Sequence, residues 1–176
     1  IEKANGEYCL FLNSGDYLLE KDTLKHVFKQ DASEDILYGN LKSDTREFLY
    51  PKHITLATFV NGTIPHQASF IKRELFNKFG MYDESYPVIA DWVFFVKVIM
   101  LYDVSYKHLD MYISFFEDGG ISTESALKNE LQEQRSDLFM TLFPKIFPDY
   151  IEMQQELREL KSELNSYKNS RVIQVV

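Results

Sequence analysis

Two short stretches of the chain carry residue types that could do chemistry. Residues 13–16 read Asn-Ser-Gly-Asp and follow the apolar run 8–12, while Asp91 precedes the apolar run 92–96. Open α/β sheets bind ligands where a buried strand ends, and a carboxylate there can hold Mg²⁺ or Mn²⁺ beside a pyrophosphate. A carboxylate among apolar neighbours is partly desolvated, which makes it a better general base.

Each stretch also has a purely structural interpretation. Asn, Ser, Gly and Asp are the commonest turn residues, so residues 13–16 are also explained as a plain turn. Asp is favoured near helix N-termini, so Asp91 is also explained by the helix that it begins. Neither stretch decides the function alone, and the order of the segments around them therefore carries the interpretation.

The elements that must position these residues are a mixture of strands and helices. The predicted strands lie at 8–12, 35–39, 47–50, 104–109 and 112–117. The predicted helices lie at 22–29, 72–79 and 89–101. The run 8–12 is short and almost wholly apolar, which is typical of a central strand buried on both faces. The pattern predicts an α/β fold for the first two-thirds of the chain.

The last third is different, because helix-forming residues replace the strand patterns from residue 122 onwards. One helix is predicted to residue 143, Pro144 and Pro148 are expected to break it, and Asp149 is expected to open another. We therefore expect an α/β domain at 1–121 and a helical tail at 122–176.

The tail carries a heptad pattern over residues 149–169. Apolar residues recur at alternating spacings of three and four, at Tyr150, Met153, Leu157, Leu160, Leu164 and Tyr167. This is the a/d pattern of a coiled coil, and it favours a homodimer through the C-terminal helix. An amphipathic helix that packs on its own domain has the same pattern, so both interpretations stay open.

Composition excludes several classes of protein. The net charge is −8 and no Lys/Arg cluster occurs, so no nucleic-acid partner is expected. The single Cys9 cannot form an internal disulfide, which fits a reducing compartment, and its place in an apolar run indicates a core residue. No apolar run of membrane-spanning length interrupts the sequence.

The ordered set of segments resembles the second half of a bacterial family 2 glycosyltransferase of the GT-A fold, of the surface-polysaccharide type. The segments are Asn-Ser-Gly-Asp at 13–16, Tyr-Gly-Asn at 38–40, Pro-His-Gln-Ala-Ser-Phe at 65–70, the segment 76–84, and Ala-Asp-Trp-Val-Phe-Phe at 90–95. The resemblance runs from residue 1 to about 123. It implies a partial, Rossmann-like GT-A sheet with flanking helices, followed by the helical tail.

The resemblance also implies roles for individual residues. Asp91 matches the catalytic base, and Trp92 would line the acceptor site. The residues that match donor- and acceptor-binding positions are Asn13, Ser14, His66 and Gln67. The segment 13–16 matches an Asp-x-Asp motif, but Asn13 and Gly15 stand at its acidic positions, so Asp16 is left as the residue for a divalent cation, Mg²⁺ or Mn²⁺.

The implied activity is that of an inverting glycosyltransferase of the hexosyltransferase type. It would transfer a sugar from a nucleotide-diphosphate sugar to a hydroxyl of a glycan or lipid-linked acceptor. The first, nucleotide-binding half of such a fold is not matched, so we expect the chain to be a fragment. The alternative is a non-catalytic oligomerisation or binding module derived from that fold. The expected location is the cytoplasm, with peripheral association at the inner face of the plasma membrane left open.

Overall fold

The computed structural model of the chain describes residues 1–29, 33–117 and 128–172. The chain forms two compact units, Ile1–Lys128 and Asn129–Val176. Strands and helices are mixed in the first unit, and the regular elements described in the second unit are helices. The predicted α/β class is therefore confirmed. The domain boundary expected at residue 121 lies within 118–127, outside the described residues.

The first unit is built around one mixed sheet. Its strands are β1 (Tyr8–Cys9), β2 (Tyr17–Leu18), β3 (Ile36–Lys42), β4 (Glu47–Phe48), β5 (Ser69–Lys72) and β6 (Tyr106–Phe115). Their order is β1-β5-β3-β6-β2, and β4 pairs with the end of β3. Among the described strands, β3 and β6 form the parallel pair and the other pairs are antiparallel.

The central strand of the sheet is β3, whereas the sequence indicated the run 8–12. Residues 36–41 are all buried, because strands flank both edges of β3 and side chains pack on both of its faces. In the run 8–12, Tyr8 and Cys9 alone form a strand, which pairs with β5 at the sheet edge. Leu12 is consequently exposed. The prediction of a central strand at 8–12 was wrong because edge and central positions are set by pairing partners far along the chain.

A close approach of two backbones shapes the middle of the sheet. The pairing of β3 with β6 shifts in register between Tyr38 and Asn40. A Cβ on Gly39 would come within 2.7 Å of the Ile113 side chain and of the Met111 carbonyl oxygen. Glycine is therefore required at this bulge, since any side chain would push the two strands apart.

The two strands expected at 104–109 and 112–117 form one continuous strand, β6. The polar residue between them, Asp110, is exposed and its carboxylate accepts a hydrogen bond from Lys52 at 3.3 Å. The register shift against β3 absorbs the extra residues of β6. A charged side chain in the middle of the sequence pattern thus marks the solvent side of the strand and not its end.

Short helices cover the sheet of the first unit. They are α1 (Thr23–Lys29), α2 (Leu56–Asn61), α3 (Arg73–Phe79) and α4 (Ala90–Phe95). The chain continues from α4 as a π-helical segment, Val96–Leu101. Together, α4 and this segment span most of the helix predicted at 89–101. One core cluster packs α1 against the sheet, and it consists of Val27, Leu37, Leu41, Ala68, Phe70, Leu109 and Ile113.

A second, aromatic cluster fixes α4. The Phe76 ring of α3 stacks on the Phe94 ring of α4, with 4.6 Å between their centroids. The Tyr82 ring packs edge-on against both of these rings, and Phe11 packs against Phe76 and Tyr82. Aromatic pairs of this kind add to the stability gained from burial alone, so the position of α4 is well determined.

The second unit contains α5 (Lys128–Leu142) and α6 (Phe147–Val172). The Phe139 ring of α5 stacks on the Phe147 ring of α6, with 5.0 Å between their centroids. Pro148 was expected to break the helix, but it lies in the first turn of α6, where proline is tolerated because that N–H has no helical partner. Among the described residues, no helix combines the length and the apolar character needed to cross a membrane.

Candidate active site

A cleft of about 510 Å³ opens on the first unit. Five of the residues expected from the sequence to form the site line this cleft, and they are Asn13, Ser14, His66, Gln67 and Asp91. They come from three segments that are far apart in the sequence, and the fold brings these segments together in one cleft. Asp16 and Trp92 are not among the residues that line the cleft.

Asp91 lies in the first turn of α4, on the side of that helix that faces the cleft. The four residues after it, 92–95, are all buried and hold the helix in the core. The Asp91 side chain is 21% exposed. Among the described residues, the hydrogen bond of this carboxylate is made by its Oδ2 atom, and the residue lines the cleft.

His66 connects Asp91 to the turn at 13–16. Its Nδ1 atom lies 2.8 Å from Asp91 Oδ2, and its Nε2 atom lies 3.2 Å from Asn13 Nδ2. Donation by the Asn13 amide to Nε2 corresponds to the tautomer that carries its proton on Nδ1. In that tautomer His66 donates its Nδ1–H to Asp91 Oδ2.

The turn at 13–16 is held by the Asp16 carboxylate. Its Oδ2 atom accepts a hydrogen bond from the Asn13 N–H at 3.2 Å, and its Oδ1 atom accepts one from the Glu117 N–H at 3.1 Å. Asp16 therefore closes its own turn and fastens that turn to the end of β6. The residue that the sequence assigned to metal binding already has a structural task.

Gly15 explains why the acidic motif is incomplete. Its φ of +91° lies in the left-handed region that glycine adopts without strain. A Cβ at this position would also overlap the carboxylate of Glu117. The Glu117 side chain thus occupies the space that an aspartate side chain at position 15 would need. Glu117 was not singled out by the sequence, because its approach to Gly15 joins segments about one hundred residues apart.

The expected role of Trp92 at the acceptor site is not compatible with the fold. Its side chain is buried, with 1% of its surface exposed. The indole Nε1–H donates a hydrogen bond to the Phe59 carbonyl oxygen at 3.0 Å. Buried tryptophan needs such a partner for its N–H, and here the partner lies in α2, so Trp92 is a core residue.

Tyr82 is a cleft residue that the sequence analysis did not identify. Its ring lines the cleft and its hydroxyl is buried without a hydrogen-bond partner among the described residues. Burial, together with the nearby charge of Asp91, raises the pKa of the Tyr82 phenol well above its usual range. The hydroxyl therefore stays protonated and can donate.

Another group of potential metal ligands lies on the surface at the start of α1. Glu20, Asp22 and His26 are exposed, and one ligand atom from each lies within 4.8 Å of the others. Exposed groups of this kind are common in proteins without a metal function. These three residues do not line the cleft, and they offer added cations an alternative site on the surface.

Comparisons with known proteins agree with the geometry. No protein-family model matches the chain. The "PGL/p-HBAD biosynthesis glycosyltransferase" proteins of Mycobacterium bovis (strain BCG / Pasteur 1173P2) and Mycobacterium tuberculosis (strain ATCC 25177 / H37Ra) are each 30% identical over 127 residues. That match covers 69% of this chain and 50% of each relative, so the chain spans about half the length of these relatives.

Solved structures show the same relationship at the level of the fold. The crystal structure of S. aureus TarS 1-349 is 20% identical, has a TM-score of 0.51, and is matched over 66% of this chain and 37% of TarS. Its complex with UDP is 17% identical, has a TM-score of 0.52, and is matched over 80% of this chain and 49% of TarS. The resemblance to glycosyltransferases predicted from the sequence is therefore confirmed, and the first unit carries part of a glycosyltransferase fold of the GT-A type.

Proposed function

We propose that this chain carries the acceptor-activating part of an inverting glycosyltransferase that uses a nucleotide-diphosphate sugar in polysaccharide or glycoconjugate biosynthesis. The observation that supports this most strongly is the row of contacts Asn13–His66–Asp91 in one cleft. A carboxylate that lines a cleft and is held there by a histidine is a suitable general base for a hydroxyl group.

In this proposal, Asp91 takes the proton of the acceptor hydroxyl. The hydroxyl oxygen attacks the anomeric carbon of the donor sugar, and the bond from that carbon to the diphosphate breaks. The nucleoside diphosphate leaves with the bonding electrons, and the attack from the opposite side inverts the anomeric configuration. The base must be close to the attacking oxygen for this step, and Asp91 lines the cleft with its Oδ1 atom outside the contact to His66.

His66 acts as a positioning residue in this scheme. Its Nδ1–H holds Asp91 Oδ2, which fixes the plane of the carboxylate and leaves Oδ1 for the acceptor. Asn13 supports the tautomer in which Nδ1–H faces Asp91, because its amide can donate to Nε2. Asn13 therefore suits the base side of the cleft although it departs from the acidic motif.

A divalent cation fits the other side of the site. Asp16 and Glu117 present carboxylate oxygens around the 13–16 turn, and oxygen ligands are those that Mg²⁺ and Mn²⁺ prefer. Two carboxylates suffice only together with donor phosphates, since Mg²⁺ usually keeps water and phosphate ligands. When bound, the cation would neutralise charge on the diphosphate. UDP in the TarS complex supports a nucleotide donor for this chain.

The acceptor we propose is a hydroxyl of a glycan or of a lipid-linked saccharide. The open cleft, which exposes both apolar and polar side chains, is compatible with either. A cytoplasmic protein that associates with the inner face of the plasma membrane would have access to lipid-linked acceptors. We propose both the acceptor and the location from the relationship to glycosyltransferases.

The experiment that tests the proposal is thermal unfolding of the chain with UDP, GDP and dTDP and their sugar conjugates, each with and without Mn²⁺. A ligand that binds only the folded state stabilises it and raises the unfolding midpoint. At a ligand concentration of 100 times Kd, the free energy of unfolding increases by about 2.7 kcal/mol. We expect one nucleotide class to raise the midpoint, and Mn²⁺ to increase that rise. No rise with any nucleotide contradicts donor binding by this chain.

Two matched variants locate the cation in the same experiment. Asp16→Asn is expected to abolish the part of the shift that depends on Mn²⁺. Asp22→Asn makes the same change in the exposed group at the start of α1, where Asp22 contacts His26 at 3.4 Å, and is expected to leave the shift unchanged. If Asp22→Asn abolishes the Mn²⁺-dependent part of the shift and Asp16→Asn does not, the cation binds the surface group and Asp16 is not a cation ligand.

A non-catalytic oligomerisation or binding module remains the second candidate function. The observation in its favour is the row of exposed apolar side chains on α6, which includes Met153 and Leu160. This function predicts self-association that does not depend on nucleotide, together with no thermal shift. The thermal experiment therefore separates it from the proposed transferase.

A further inference from the structure

The helix α6 presents an apolar stripe to solvent. It is a single helix from Phe147 to Val172. The exposed fractions are 67% for Met153, 43% for Leu157, 62% for Leu160 and 53% for Leu164. These four residues alternate at spacings of four, three and four, so they form one line along the helix. Four large apolar side chains in line and uncovered mark an interaction surface.

Charged residues beside the stripe indicate which partner it fits. With Leu157 at heptad position a, Glu156 and Glu163 occupy g, and Lys161 and Lys168 occupy e. All four belong to α6 and are exposed. In two parallel helices, each g residue lies next to the e residue of the following heptad in the partner. A second copy of α6 would therefore bring Glu next to Lys along both sides of the stripe.

The same charges disfavour the antiparallel arrangement. Antiparallel helices place g next to g and e next to e, so Glu156 and Glu163 would face glutamates, and the lysines would face lysines. Like charges at these positions are destabilising. The surface thus matches a copy of itself in parallel register, and it does not match itself when reversed.

We infer that the α6 stripe is a self-recognition surface, through which two copies of this chain form a parallel two-stranded coiled coil. This inference goes beyond the proposed transferase activity and does not depend on it. The stripe extends over fewer than three heptads, so the association is expected at micromolar rather than nanomolar concentration.

The first test measures the mass of the 176-residue chain in solution by sedimentation equilibrium. We expect about twice the chain mass of 20.7 kDa at high micromolar concentration. Leu157→Gln with Leu164→Gln should weaken association by at least roughly 100-fold, because two buried core layers are lost. The matched control, Arg158→Gln with Asn165→Gln, changes the adjacent residues outside the stripe and should stay within about threefold of the native chain.

A second variant keeps the apolar stripe intact and tests the charges. Lys161→Glu with Lys168→Glu places glutamate opposite glutamate and should weaken association about tenfold or more at low salt, and less at high salt. Adding Glu156→Lys and Glu163→Lys restores opposite charges and should restore the native affinity. Since these side chains are exposed, the substitutions leave the fold of the helix unchanged.

A third test reads the orientation by oxidative cross-linking. Met153→Cys should form a disulfide between two copies, because d positions meet in a parallel register. The matched control, Gln155→Cys, lies on the outer face of the helix and should not cross-link. The native chain serves as background, because its Cys9 is buried.

The inference is overturned by a monomeric chain at high micromolar concentration, or by a dimer that survives the Leu157→Gln and Leu164→Gln changes. A trimeric mass overturns the two-stranded form. A dimer in which Met153→Cys does not cross-link overturns the parallel register. None of these outcomes bears on the Asp91 site, so failure here is distinct from failure of the proposed transferase function.

Discussion

The two acidic residues that the sequence singled out, Asp91 and Asp16, are held in different ways. Asp91 lines the cleft and contacts a side chain, His66. Asp16 accepts backbone N–H groups with both of its oxygens. The Asp16 carboxylate therefore holds the backbone of its turn, whereas the Asp91 carboxylate holds no backbone group among the described residues.

The surroundings of the two residues explain this difference. Asp91 lies in the first turn of a helix, and the next four residues of that helix are buried. Packing therefore fixes the position of Asp91, and its carboxylate is not needed to hold the backbone. Asp16 lies in a turn between two-residue strands, where packing is slight and hydrogen bonds must hold the chain. We therefore expect substitutions near Asp91 to affect chemistry, and substitutions near Asp16 to affect stability.

The largest effect is expected from Asp91→Asn. The amide keeps the shape and can still accept the His66 Nδ1–H, but it cannot take a proton. Initial rates of sugar transfer, measured with the donor identified by thermal unfolding, should fall about 10²–10⁴-fold, with donor binding and the unfolding midpoint nearly unchanged. Asp110→Asn makes the same change on the surface, and should leave the rate unaltered. Preserved turnover in the Asp91 variant would remove it from the role of base.

A smaller effect on the rate is expected from His66→Gln. The loss of the Nδ1–H contact frees the Asp91 carboxylate to rotate, and misplacement of a catalytic group costs up to about 100-fold. We expect kcat to fall about 10- to 100-fold with KM nearly constant and with a changed pH profile. His53→Gln, at an exposed position, is the control. A fall in kcat that is accompanied by a fall in the unfolding midpoint would instead indicate that His66 has a merely structural role.

Gly15→Asp tests the other side of the comparison. The change restores an acidic residue to the motif, yet it places a side chain at a positive φ and against Glu117. We expect a loss of about 1–3 kcal/mol in the free energy of unfolding, measured by denaturant titration. Gly62→Asp is the matched control, because φ is −178° there and a Cβ meets its nearest atom at 3.7 Å. A variant of native stability that binds Mn²⁺ more tightly would show that Glu117 does not fill this space.

The smallest effect is expected from Tyr82→Phe. The hydroxyl is buried without a partner among the described residues, so its removal should leave the unfolding free energy unchanged or raise it by up to about 1 kcal/mol. Tyr38→Phe is the contrast, since the Tyr38 hydroxyl donates to the Pro51 carbonyl at 2.5 Å, and it should be destabilising. A loss of donor or acceptor binding in the more stable Tyr82 variant would assign this hydroxyl to a ligand.

The residues of the cleft were largely predictable, because the order of short polar motifs survives in the sequence. Asn13, Ser14, His66, Gln67 and Asp91 were expected at the site and do line one cleft. Their exact contacts were not predictable. The His66 to Asp91 contact spans 25 residues and depends on the 3₁₀ turn at His66–Ala68, which no local pattern indicated.

The orientation of Trp92 and the position of the strand at 8–12 could not be predicted from the sequence, for one physical reason. Asp91 and Trp92 are neighbours on one helix, and only the position of the Phe59 carbonyl shows that Trp92 faces the core. The strand 8–12 was placed at the centre because its residues are apolar, but pairing puts it at the edge. In each case the deciding partner lies far along the chain, beyond what composition or periodicity can report.

The parallel pairing of β3 with β6 has a consequence for how the protein reaches its native state. The Ile36 N–H bonds to the Ser105 carbonyl, and the Asp35 carboxylate accepts hydrogen bonds from the Ser105 N–H and hydroxyl across a sequence separation of 70. The chain must close this long loop before the middle of its sheet exists, and such non-local topologies fold slowly. During synthesis, β4 and β5 can pair with β3 first, but the edge of β3 that pairs with β6 stays without its partner until residues 106–115 have left the ribosome. The growing chain therefore passes through a period in which one edge of its buried central strand is exposed.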